Sequence, residues 1–322
     1  MTLAQLKVFV LVARLGSVRA AASALGVSEP AVSQALASLR QHLDDPLVAR
    51  GGGGMELTAA GQRVVGIASQ MVNLAVEAEQ AVRQSRGAPA LLRVVATSTL
   101  ADAVAPALLQ AFSLRVGQLD VTLGVASTAE MAALLAERLA DVALGPRLSG
   151  VGAEGLVSEP LLRYRLAFIA ASTHPLGRVN GPLPVRRLAG ESWFVDPAGT
   201  DPDTEVGQLI ARLGTADHHV RVFPNHHAAL AAAATGAGIV PAVEHLVAGE
   251  LDSGSLVKLP IVGAPLDLLW HVTSLSADRR PAIVSKLRRF LATPDALQAM
   301  YRADGGVPAS RFKPPVYVTI WS

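Results

Sequence analysis

The sequence predicts an α/β protein that follows an all-α amino-terminal domain, and three patterns lead to that prediction. Residues 18–37 carry apolar side chains at helical spacing on both sides of Gly26, which is typical of two short helices packed across a tight turn. Residues 59–86 repeat apolar positions at alternating intervals of three and four, which indicates one long helix. From Leu91 onward, apolar runs alternate with helical patterns, of which the first predicts a helix over residues 102–112. This alternation indicates strand–helix–strand units with a parallel sheet.

The composition limits the class of protein. A chain of 322 residues is long enough for two or three domains, each with its own core, and the absence of cysteine excludes disulfides. A net charge of +2 is too small to indicate nucleic-acid binding, so any affinity for DNA must come from local placement of basic residues. The most apolar stretch, residues 227–242, is shorter than the roughly 20 residues of a membrane span, and no secretory signal follows Met1. We therefore expect a soluble, cytoplasmic protein without a membrane partner.

The first three predicted helices form one unit. Thr2 and Gln5 are spaced as a capping box for a first helix that ends at Gly16. Ser17 can cap the second helix and Ser28 the third. The second and third helices then form a helix-turn-helix, which lays its second helix in the major groove of DNA. A helical hairpin with a solvated polar face is the alternative interpretation of the same residues.

The outward face of the third predicted helix carries short polar side chains that can approach base edges and phosphates. Gln34 can pair with adenine, and Ser33 can bond to either kind of base or to a phosphate. Two short extended runs then flank four glycines, 51–54, and predict a wing whose main candidate phosphate contact is Arg50. The predicted DNA contacts are Arg19, Ser28, Glu29, Pro30, Ser33, Gln34, Ser38 and Arg50.

The long predicted helix indicates self-association. Its heptad seam consists of Val64, Ile67, Met71, Leu74, Ala78 and Ala81. A helix buried against its own domain is the alternative, but the polar residues on the other faces favour a dimer. Two recognition helices held by such a dimer would read half-sites about one helical turn of DNA apart, or a multiple of it.

The amino-terminal residues resemble those of a known family. The run from Leu3 to Leu39, with Arg50 and the segment 57–61, is similar to the DNA-binding domain of the LysR-type transcriptional regulators. The matching positions are Gly16, Ser17, Ala21, Ala22, Leu25, Val27, Ser28, Pro30, Ala31, Val32, Ser33, Leu39, Leu47, Arg50, Leu57, Thr58 and Gly61. The departures are Glu29, Arg40, Asp44 and Val48, where the family usually has Gln, Glu, Gly and Phe. A carboxylate at position 29 can accept from cytosine but is repelled by phosphate, so the family's base preference does not transfer directly.

The resemblance extends to an effector domain. Its landmarks match at residues 92–94, 138–143, 159–161, 174–176 and 236–241. They imply a two-lobed domain, similar to periplasmic solute-binding proteins, whose crossover strands surround a ligand cleft. The implied boundaries are 1–58 for a winged helix-turn-helix domain, 59–88 for the linker helix and hinge, 89–292 for the effector domain and 293–322 for a carboxyl-terminal extension. Lobe I comprises about 89–162 and 267–292, and lobe II about 163–266.

Loops beyond the carboxyl ends of the strands are the candidate effector site, because ligands of open α/β sheets bind there. Thr97, Ser98 and Thr99 follow the first strand, although hydroxyls at such a junction can also be helix caps. The loop 195–204 is acidic, whereas family members that bind anions often offer basic or hydroxyl groups, which weakens the case for a small anionic effector. The expected effector contacts are Thr97, Ser98, Thr99, Thr128, Gly145, Asp196, Thr200, His226 and Ile239.

Two histidine pairs, 218–219 and 226–227, raise the question of a metal site. Adjacent histidines cannot both face one ion from a regular helix or strand without strain, and no further ligand lies at metal-binding spacing. For His226, which follows the capping residue Asn225, contact with the effector is the alternative. The sequence also lacks a nucleophile elbow, a phosphate-binding loop and a zinc pattern, so we expect no metal, no cofactor and no enzyme activity.

The resemblance implies a DNA-binding transcriptional regulator. It would bind double-stranded promoter DNA as a homodimer, or as a dimer of dimers, and a small-molecule effector between the lobes would modulate its activity. The alternative is a cytoplasmic small-molecule-binding protein with a weakened DNA-binding domain, which Glu29 and the glycine-rich wing suggest. The tail beyond Ala292 matches the family poorly, and the strand-like residues 316–321 have no assigned role.

Overall fold

The computed structural model describes residues 1–51, 54–149 and 152–301. The predicted strand at 316–321 and the wing glycines 52 and 53 lie outside these residues. The amino-terminal domain consists of α1 (Leu3–Leu15), α2 (Val18–Leu25), α3 (Glu29–Leu43), β1 (Val48–Gly51) and β2 (Gly54–Leu57). The predicted capping box begins α1, since Gln5 N donates to Thr2 Oγ1 over 3.3 Å and Thr2 N donates to Gln5 Oε1 over 2.7 Å.

Left-handed turns end each of these three helices. Gly16 has φ 62° and Gly26 has φ 65°, a region that residues with a Cβ rarely adopt. Asp44 ends α3 with φ 52°, and aspartate tolerates this conformation better than most residues. The turns let α3 pack against α1 and α2, and the side chains that it buries are Val32, Leu36 and Leu39.

The wing is an antiparallel pair of strands held against the turn between α1 and α2. Met55 N donates to Gly16 O over 2.8 Å, and Thr58 N donates to Leu47 O over 2.9 Å. A Cβ on Gly54 would lie 2.6 Å from the Gly16 carbonyl oxygen, so this position requires glycine. Glycine at this position therefore allows the close backbone contact that holds the base of the wing.

The linker helix α4 (Ala59–Ser85) has 27 residues, and Thr58 begins it by accepting a 3.0 Å hydrogen bond from Gly61 N. One face, formed by Ala68, Val72 and Val76, is buried against the protein's own chain. The predicted heptad seam lies elsewhere on the helix and is largely exposed: Ile67, Met71, Leu74, Ala78 and Ala81 are exposed and Val64 is half-buried. One face of α4 is thus buried against the protein's own chain, as the alternative interpretation expected, while the predicted seam faces solvent.

The remaining chain forms one mixed sheet flanked by helices. Its strands are β3 (Ala90–Ala96), β4 (Leu119–Val125), β5 (Val142–Gly145), β6 (Leu156–Ala171), β7 (Trp193–Val195), β8 (Val220–Val222), β9 (Ile239–Val243), β10 (Leu256–Lys258) and β11 (Leu266–Leu275). Its helices are α5 (Ser98–Ala103), α6 (Ala105–Val116), α7 (Thr128–Ala136), α8 (Glu205–Leu213), α9 (His226–Ala233), α10 (Ala248–Asp252), α11 (Ala282–Leu291) and α12 (Pro294–Tyr301). The strand order is β4-β3-β5-β11-β6-β9-β7-β8, with β10 also paired to β6.

Two long antiparallel strands, β6 and β11, connect the two halves of this sheet. On one side β3 pairs in parallel with β4 and β5, and on the other side β7 pairs in parallel with β8 and β9. β11 pairs with β5 and with β6, while the second half of β6 pairs with β9. The parallel units are therefore present as predicted, and the crossover strands that the resemblance implied join them.

One predicted helix is divided in the structure. The sequence suggested a helix over residues 102–112, whereas the structure has α5 and α6 with a break at Val104. Pro106 lies in the first turn of α6, where its missing N–H costs no hydrogen bond, but it cannot continue a helix from α5. α5 begins at Ser98, immediately after the end of β3.

The amino-terminal domain packs on lobe I of the sheet domain through α7. α1 and α2 both contact α7, and their apolar side chains share one buried cluster with it. Glu137 follows α7 and is fully buried; it accepts hydrogen bonds from Arg14 Nε on α1 and from Ser69 Oγ on α4. Arg138 Nη1 pairs with Glu77 Oε1 of α4 over 2.9 Å. Polar contacts thus supplement the apolar junction.

The carboxyl-terminal helix α12 belongs to the lobe I core. It packs against α6, and its buried side chains Ala296, Leu297 and Met300 join the cluster around β3 and β11. Part of the segment 293–322, which the sequence assigned to an extension, therefore adds to this core. In the described part of the chain, none of the helices combines the length and apolar character that crossing a membrane requires.

Candidate DNA-binding surface and ligand cleft

The predicted recognition helix presents the expected side chains to solvent. Ser33 and Gln34 on α3 are exposed, because the buried positions of this helix lie on the opposite face toward α1 and α2. Arg19, Ser28, Glu29 and Pro30 are exposed as well, and Ser38 is half-buried. The surface is therefore free to enter a groove, as the helix-turn-helix interpretation requires.

Glu29 lies in the first turn of α3, beside the capping residue Ser28. Ser28 Oγ accepts a 3.4 Å hydrogen bond from Ala31 N. The positive end of the helix dipole is at this turn, so a carboxylate is favourable here in the absence of DNA. Glu29 therefore stabilises the start of α3, at a position where the family usually has glutamine.

The wing is held close to the recognition helix. Arg40 Nη2, on α3, donates to the Val48 carbonyl oxygen over 2.9 Å. Val48 itself is 1% exposed although it is smaller than the family's phenylalanine, so it fills its place in the core without leaving the strand loose. Arg50 on β1 is exposed at the solvent face of the wing. α3 and Arg50 thus belong to one amino-terminal surface.

A cavity of about 80 Å³ lies between the two lobes. It is roomy enough for several water molecules or a chemical group of similar size. Its lining comes from both lobes and both crossover strands: Thr97, Thr99, Pro146, Tyr164, Leu166, Val195, Asp196, Ala198, Gly199, Thr204, Glu205, Val206, His226, Pro241, Val243, Leu268 and Trp270.

Asp196 connects the lobes across this cavity. Its Oδ2 accepts hydrogen bonds from the hydroxyls of Ser98 and Thr99, which begin α5 in lobe I. Its Oδ1 accepts from Gly199 N over 3.1 Å, so the carboxylate also caps the turn that follows β7. Asp196 is 7% exposed. Two of the hydroxyls that the sequence suggested for an effector, those of Ser98 and Thr99, are therefore engaged by a carboxylate of the protein itself.

A second polar bridge joins the lobes at the start of α7. Thr128 Oγ1 donates to Asp201 Oδ2 over 2.7 Å, and Thr128 N donates to the same oxygen over 3.1 Å. Asp203 Oδ2 lies 3.3 Å from the same hydroxyl. Thr128 thus contributes to closure of the cleft, although it does not line the cavity.

His226 begins α9 and lines the cavity from lobe II. Asn225 caps this helix by accepting a 2.9 Å hydrogen bond from Ala228 N. The histidine is 8% exposed, and its buried Nε2 has no hydrogen-bond partner among the described residues. Burial lowers the pKa of His226 from its ordinary value, and the nearby Asp196 carboxylate opposes that shift only in part. The imidazole is therefore neutral at physiological pH.

The structure brings Thr97, Thr99, Asp196 and His226 to the cavity. The other five expected residues do not line it: Ser98 and Thr128 bridge the lobes beside it, and Ile239, Thr200 and Gly145 have other surroundings. Ile239 is fully buried in the lobe II core, where β9 pairs with β6 and β7. Thr200 is exposed and donates to Pro197 O over 3.0 Å. Gly145 is buried against Thr97 and Met131, so its role is close packing behind the cavity.

Sequence reasoning missed the aromatic residues of the cleft and one of the two acidic residues described there, Glu205. Tyr164 on β6 and Trp270 on β11 stack with ring centroids 4.2 Å apart, and Glu205 begins α8 at the same cavity. Burial, together with the Glu205 carboxylate, raises the pKa of the Tyr164 hydroxyl, which therefore stays protonated. The only signal available was that both aromatic residues lie on long strands implied to cross between lobes.

No described group of three or more histidine, aspartate or glutamate side chains is arranged to hold a metal ion. His218 and His219 lie with ring centroids 4.2 Å apart and ring planes inclined by 40°, at a turn that does not line the cavity. The described residues thus provide hydrogen-bond acceptors and aromatic walls at the cleft.

Comparisons with known proteins match both parts of the chain. A model of the LysR substrate binding domain matches residues 85–294, and a model of the bacterial regulatory helix-turn-helix protein, lysR family, matches residues 3–62. The HTH-type transcriptional regulator Rv0377 of Mycobacterium tuberculosis is 36% identical over 326 residues and covers 100% of each chain. YeiE, an HTH-type transcriptional regulator of Escherichia coli, is 29% identical and covers 90% of this chain and 96% of its own.

A solved structure of similar fold is full-length CbnR complexed with its target DNA. It has a TM-score of 0.52 and 22% sequence identity, and the match covers 90% of this chain and 99% of CbnR. At this identity the likeness concerns the fold: an amino-terminal helical domain, a linker helix and a mixed α/β domain in the same order.

Proposed function

Because the chain belongs to the LysR-type family and is a DNA-binding transcriptional regulator with an effector-binding domain, we propose that α3 and the wing contact promoter DNA directly. The observation that carries this proposal is the exposure of Ser33 and Gln34 on the second helix of the helix-turn-helix. The other proposed contacts are Arg19, Ser28, Glu29, Pro30, Ser38 and Arg50. Family membership favours direct binding of promoter DNA over the two alternatives, a small-molecule-binding protein with a weakened DNA-binding domain and an enzyme.

The proposed regulator works as a homodimer, joined through the exposed seam of α4. Ile67 is 60% exposed and Leu74 is 64% exposed, although both are large apolar side chains on a regular helix. Burying them against a second copy removes this surface from water and places two recognition helices on one two-fold axis. Two such dimers can bind adjacent sites, as the family resemblance implies. A regulator of this kind acts in the cytoplasm, where its promoter DNA is.

The proposed effector site is the cavity between the lobes. A small molecule there contacts Thr97 and Thr99 of lobe I together with Asp196 and His226 of lobe II, and it therefore biases how far the lobes close. Because α7 contacts α1 and α2, a change in lobe closure is transmitted to the DNA-binding domain. The proposed boundaries are the winged domain at 1–58, the linker at 59–88 and the effector domain at 89–292.

DNA binding is tested by gel-shift titration of the full-length protein with the DNA upstream of its own gene. We expect a specific shift that weakens steeply as the salt concentration rises, because phosphate contacts release counterions. Scrambled DNA of equal length should bind more weakly at the same salt concentration. Equal affinity for both sequences would contradict specific recognition by α3.

Effector binding is tested by a thermal-shift screen of small metabolites, since a ligand that binds only the folded state raises the melting temperature. Thr99→Ala, which removes a hydroxyl at the cavity, should abolish the shift that a hit produces. The control is Thr235→Ala, because Thr235 is an exposed threonine of lobe II away from the cavity. A shift that survives Thr99→Ala unchanged would assign the site elsewhere.

A further inference from the structure

The cavity between the lobes is acidic. Asp196 and Glu205 line it, and none of the described residues that line it is a lysine or an arginine. Asp196 is 7% exposed and comes from the turn after β7, whereas Glu205 comes from the first turn of α8, so two separate elements bring carboxylates to the same space. Any group that enters the cavity therefore meets the negative charge of these two carboxylates.

The carboxylate of Asp196 already occupies the hydroxyl donors that an anion would use. Ser98 and Thr99 both direct their hydroxyls to Asp196 Oδ2. A ligand carboxylate would have to displace Asp196 from these donors and would then lie beside two like charges in a poorly solvated space. The closed arrangement of this cleft therefore discriminates against anions.

An independent observation concerns His226. The residue is 8% exposed and lines the cavity, and its Nε2 has no partner among the described residues. A buried polar atom without a partner is costly, so this nitrogen is expected to be used by something that enters. Since burial keeps the imidazole neutral, Nε2 accepts from an N–H donor in the tautomer that carries its proton on Nδ1.

The aromatic side chains of the cavity also suit an N–H donor, in particular one that carries positive charge. Tyr164 and Trp270 stack at the crossover strands, and both line the cavity. Aromatic faces attract cations through the ring quadrupole. The cavity therefore combines two carboxylates, a neutral imidazole and an aromatic wall, which is a set suited to a group that carries positive charge and several N–H donors.

Basic residues do occur at the neighbouring opening of the cleft. Arg147 and Arg163 line this opening, and both are exposed. Asp203 and Asp267 line the same opening, so their charges offset those of the arginines there. The arginines at this opening therefore do not neutralise the carboxylates of the inner cavity.

We propose that the cleft binds an effector through a small cationic group with several N–H donors, an ammonium or guanidinium, held by Asp196, Glu205 and His226. This inference rests on the proposed role of the cleft as the effector site. The cavity volume of about 80 Å³ suits the cationic group, and the rest of a larger effector extends toward the opening at Arg147. An amine or guanidine compound is thus the chemical class to which the regulator responds.

The test uses full-length protein and charge-matched small probes. Methylguanidinium chloride and ethylammonium chloride are compared with sodium acetate at equal ionic strength, and binding is measured by thermal shift and by isothermal calorimetry. We expect the cations to raise the melting temperature and acetate to leave it unchanged. Asp196→Asn and Glu205→Gln should each weaken cation binding by about tenfold or more, because each removes a charge while keeping a hydrogen-bond acceptor.

The matched control is Asp252→Asn, which removes an exposed carboxylate of lobe II outside the cavity. It should leave cation binding unchanged. Asparagine at position 196 still offers an oxygen to the hydroxyls of Ser98 and Thr99, while its amide nitrogen then faces Gly199 N, so the melting temperature without probe is expected to fall. Circular dichroism checks that the variant folds, and each probe is compared with the same variant without probe.

Several results would overturn the proposal. Cation stabilisation that is equal in Asp196→Asn and Asp252→Asn would mean that the cation binds elsewhere. Stabilisation of the wild-type protein by acetate that Thr99→Ala abolishes would make the cleft an anion site, which contradicts the inference and leaves the cleft as the effector site. No stabilisation by either cation would also reject it. The specific gel shift of the wild-type protein reports separately on the proposed regulator function. Failure of the cation proposal is therefore distinguishable from failure of the proposed function.

Discussion

Ser69 on the linker helix donates a 2.6 Å hydrogen bond to Oε2 of Glu137, at the end of α7 in the effector domain. The other carboxylate oxygen of Glu137 pairs with Arg14 on α1, and Glu137 is fully buried. One side chain therefore joins the DNA-binding domain, the linker and lobe I. The opposite end of α7 begins at Thr128, which bridges the two lobes. α7 thus spans the distance from the cleft to the DNA-binding domain.

The first prediction concerns this junction. Glu137→Gln keeps the shape of the side chain but removes the charge that faces Arg14, so we expect a loss of about 1–3 kcal/mol in the free energy of unfolding. Urea denaturation followed by circular dichroism measures this loss. Glu79→Gln, an exposed position on α4, is the control and should change stability by less than about 0.5 kcal/mol. Equal stability of both variants would mean that the buried pair does not hold the domains together.

The second prediction separates base recognition from phosphate contact. Gln34→Ala should reduce affinity for the specific site by about 1–3 kcal/mol and leave the salt dependence unchanged, because a base contact releases no counterion. Arg50→Ala should weaken binding to all sequences and reduce the slope of log affinity against log salt by about 0.9. Gel-shift titrations at several salt concentrations measure both quantities.

The control for these variants is Arg212→Ala, which removes an exposed arginine of α8 in lobe II. It should alter neither the affinity nor the salt slope. If Gln34→Ala weakened binding equally on specific and scrambled DNA, Gln34 would not be reading a base, and the proposed orientation of α3 would be wrong.

The amino-terminal domain was predictable from the sequence because its determinants are local. Thr2 and Gln5 form the capping box within one helical turn, and Gly16 and Gly26 adopt the left-handed turns that their positions indicated. The apolar spacing of α3 gives both its buried face and, by exclusion, its exposed face at Ser33 and Gln34. Such signals need no knowledge of distant parts of the chain.

The cleft was predictable only in part because its residues come from distant positions. Tyr164 is paired with Leu268 across the crossover strands, more than a hundred residues away in the chain, so no local pattern places it beside Trp270. Position at strand ends indicated Thr97, Thr99 and Asp196, yet the same rule included Ile239, which packs inward. A strand end specifies a neighbourhood, whereas the direction of each side chain depends on register and twist.

No feature of the sequence indicated that Glu137 would be buried at the junction between the domains. A glutamate after a helix is ordinarily an exposed residue, and its burial follows only from the docking of α1 and α4 on α7. The break at Val104, in contrast, could have been found, because Pro106 lies where a single helix over 102–112 would need a backbone donor.

The third prediction concerns the seam of α4. Leu74 is 64% exposed, so Leu74→Glu should not disturb the fold of a single chain but should place charges against each other in the proposed dimer. We expect sedimentation velocity to report a dimer for the wild type and a monomer for the variant at the same concentration. Val262→Glu is the control, because Val262 is 62% exposed and lies outside α4. A dimer that persists in Leu74→Glu would exclude the seam as its main interface.

The last prediction concerns stability at low pH. His245 packs near Trp270 and Tyr301, with ring centroids 6.5 Å and 5.4 Å away, and burial lowers its pKa to about 4. Between its ordinary pKa of 6.5 and about 4, the unfolded chain binds a proton at this site that the folded protein does not. The free energy of unfolding is therefore unaffected by this group above pH 6.5 and falls as the pH decreases through that interval.

Urea denaturation at pH 7 and pH 5 measures the effect. For His245 alone the loss between these values is about 2 kcal/mol, since one pKa unit corresponds to about 1.4 kcal/mol. His245→Phe, which keeps an aromatic ring in this aromatic environment, should reduce the pH dependence by that amount. The exposed residue His218 provides the control His218→Phe, which should retain the wild-type dependence. An identical loss in all three proteins would mean that His245 takes up its proton equally in the folded and unfolded states, contrary to its burial at the edge of the lobe I core.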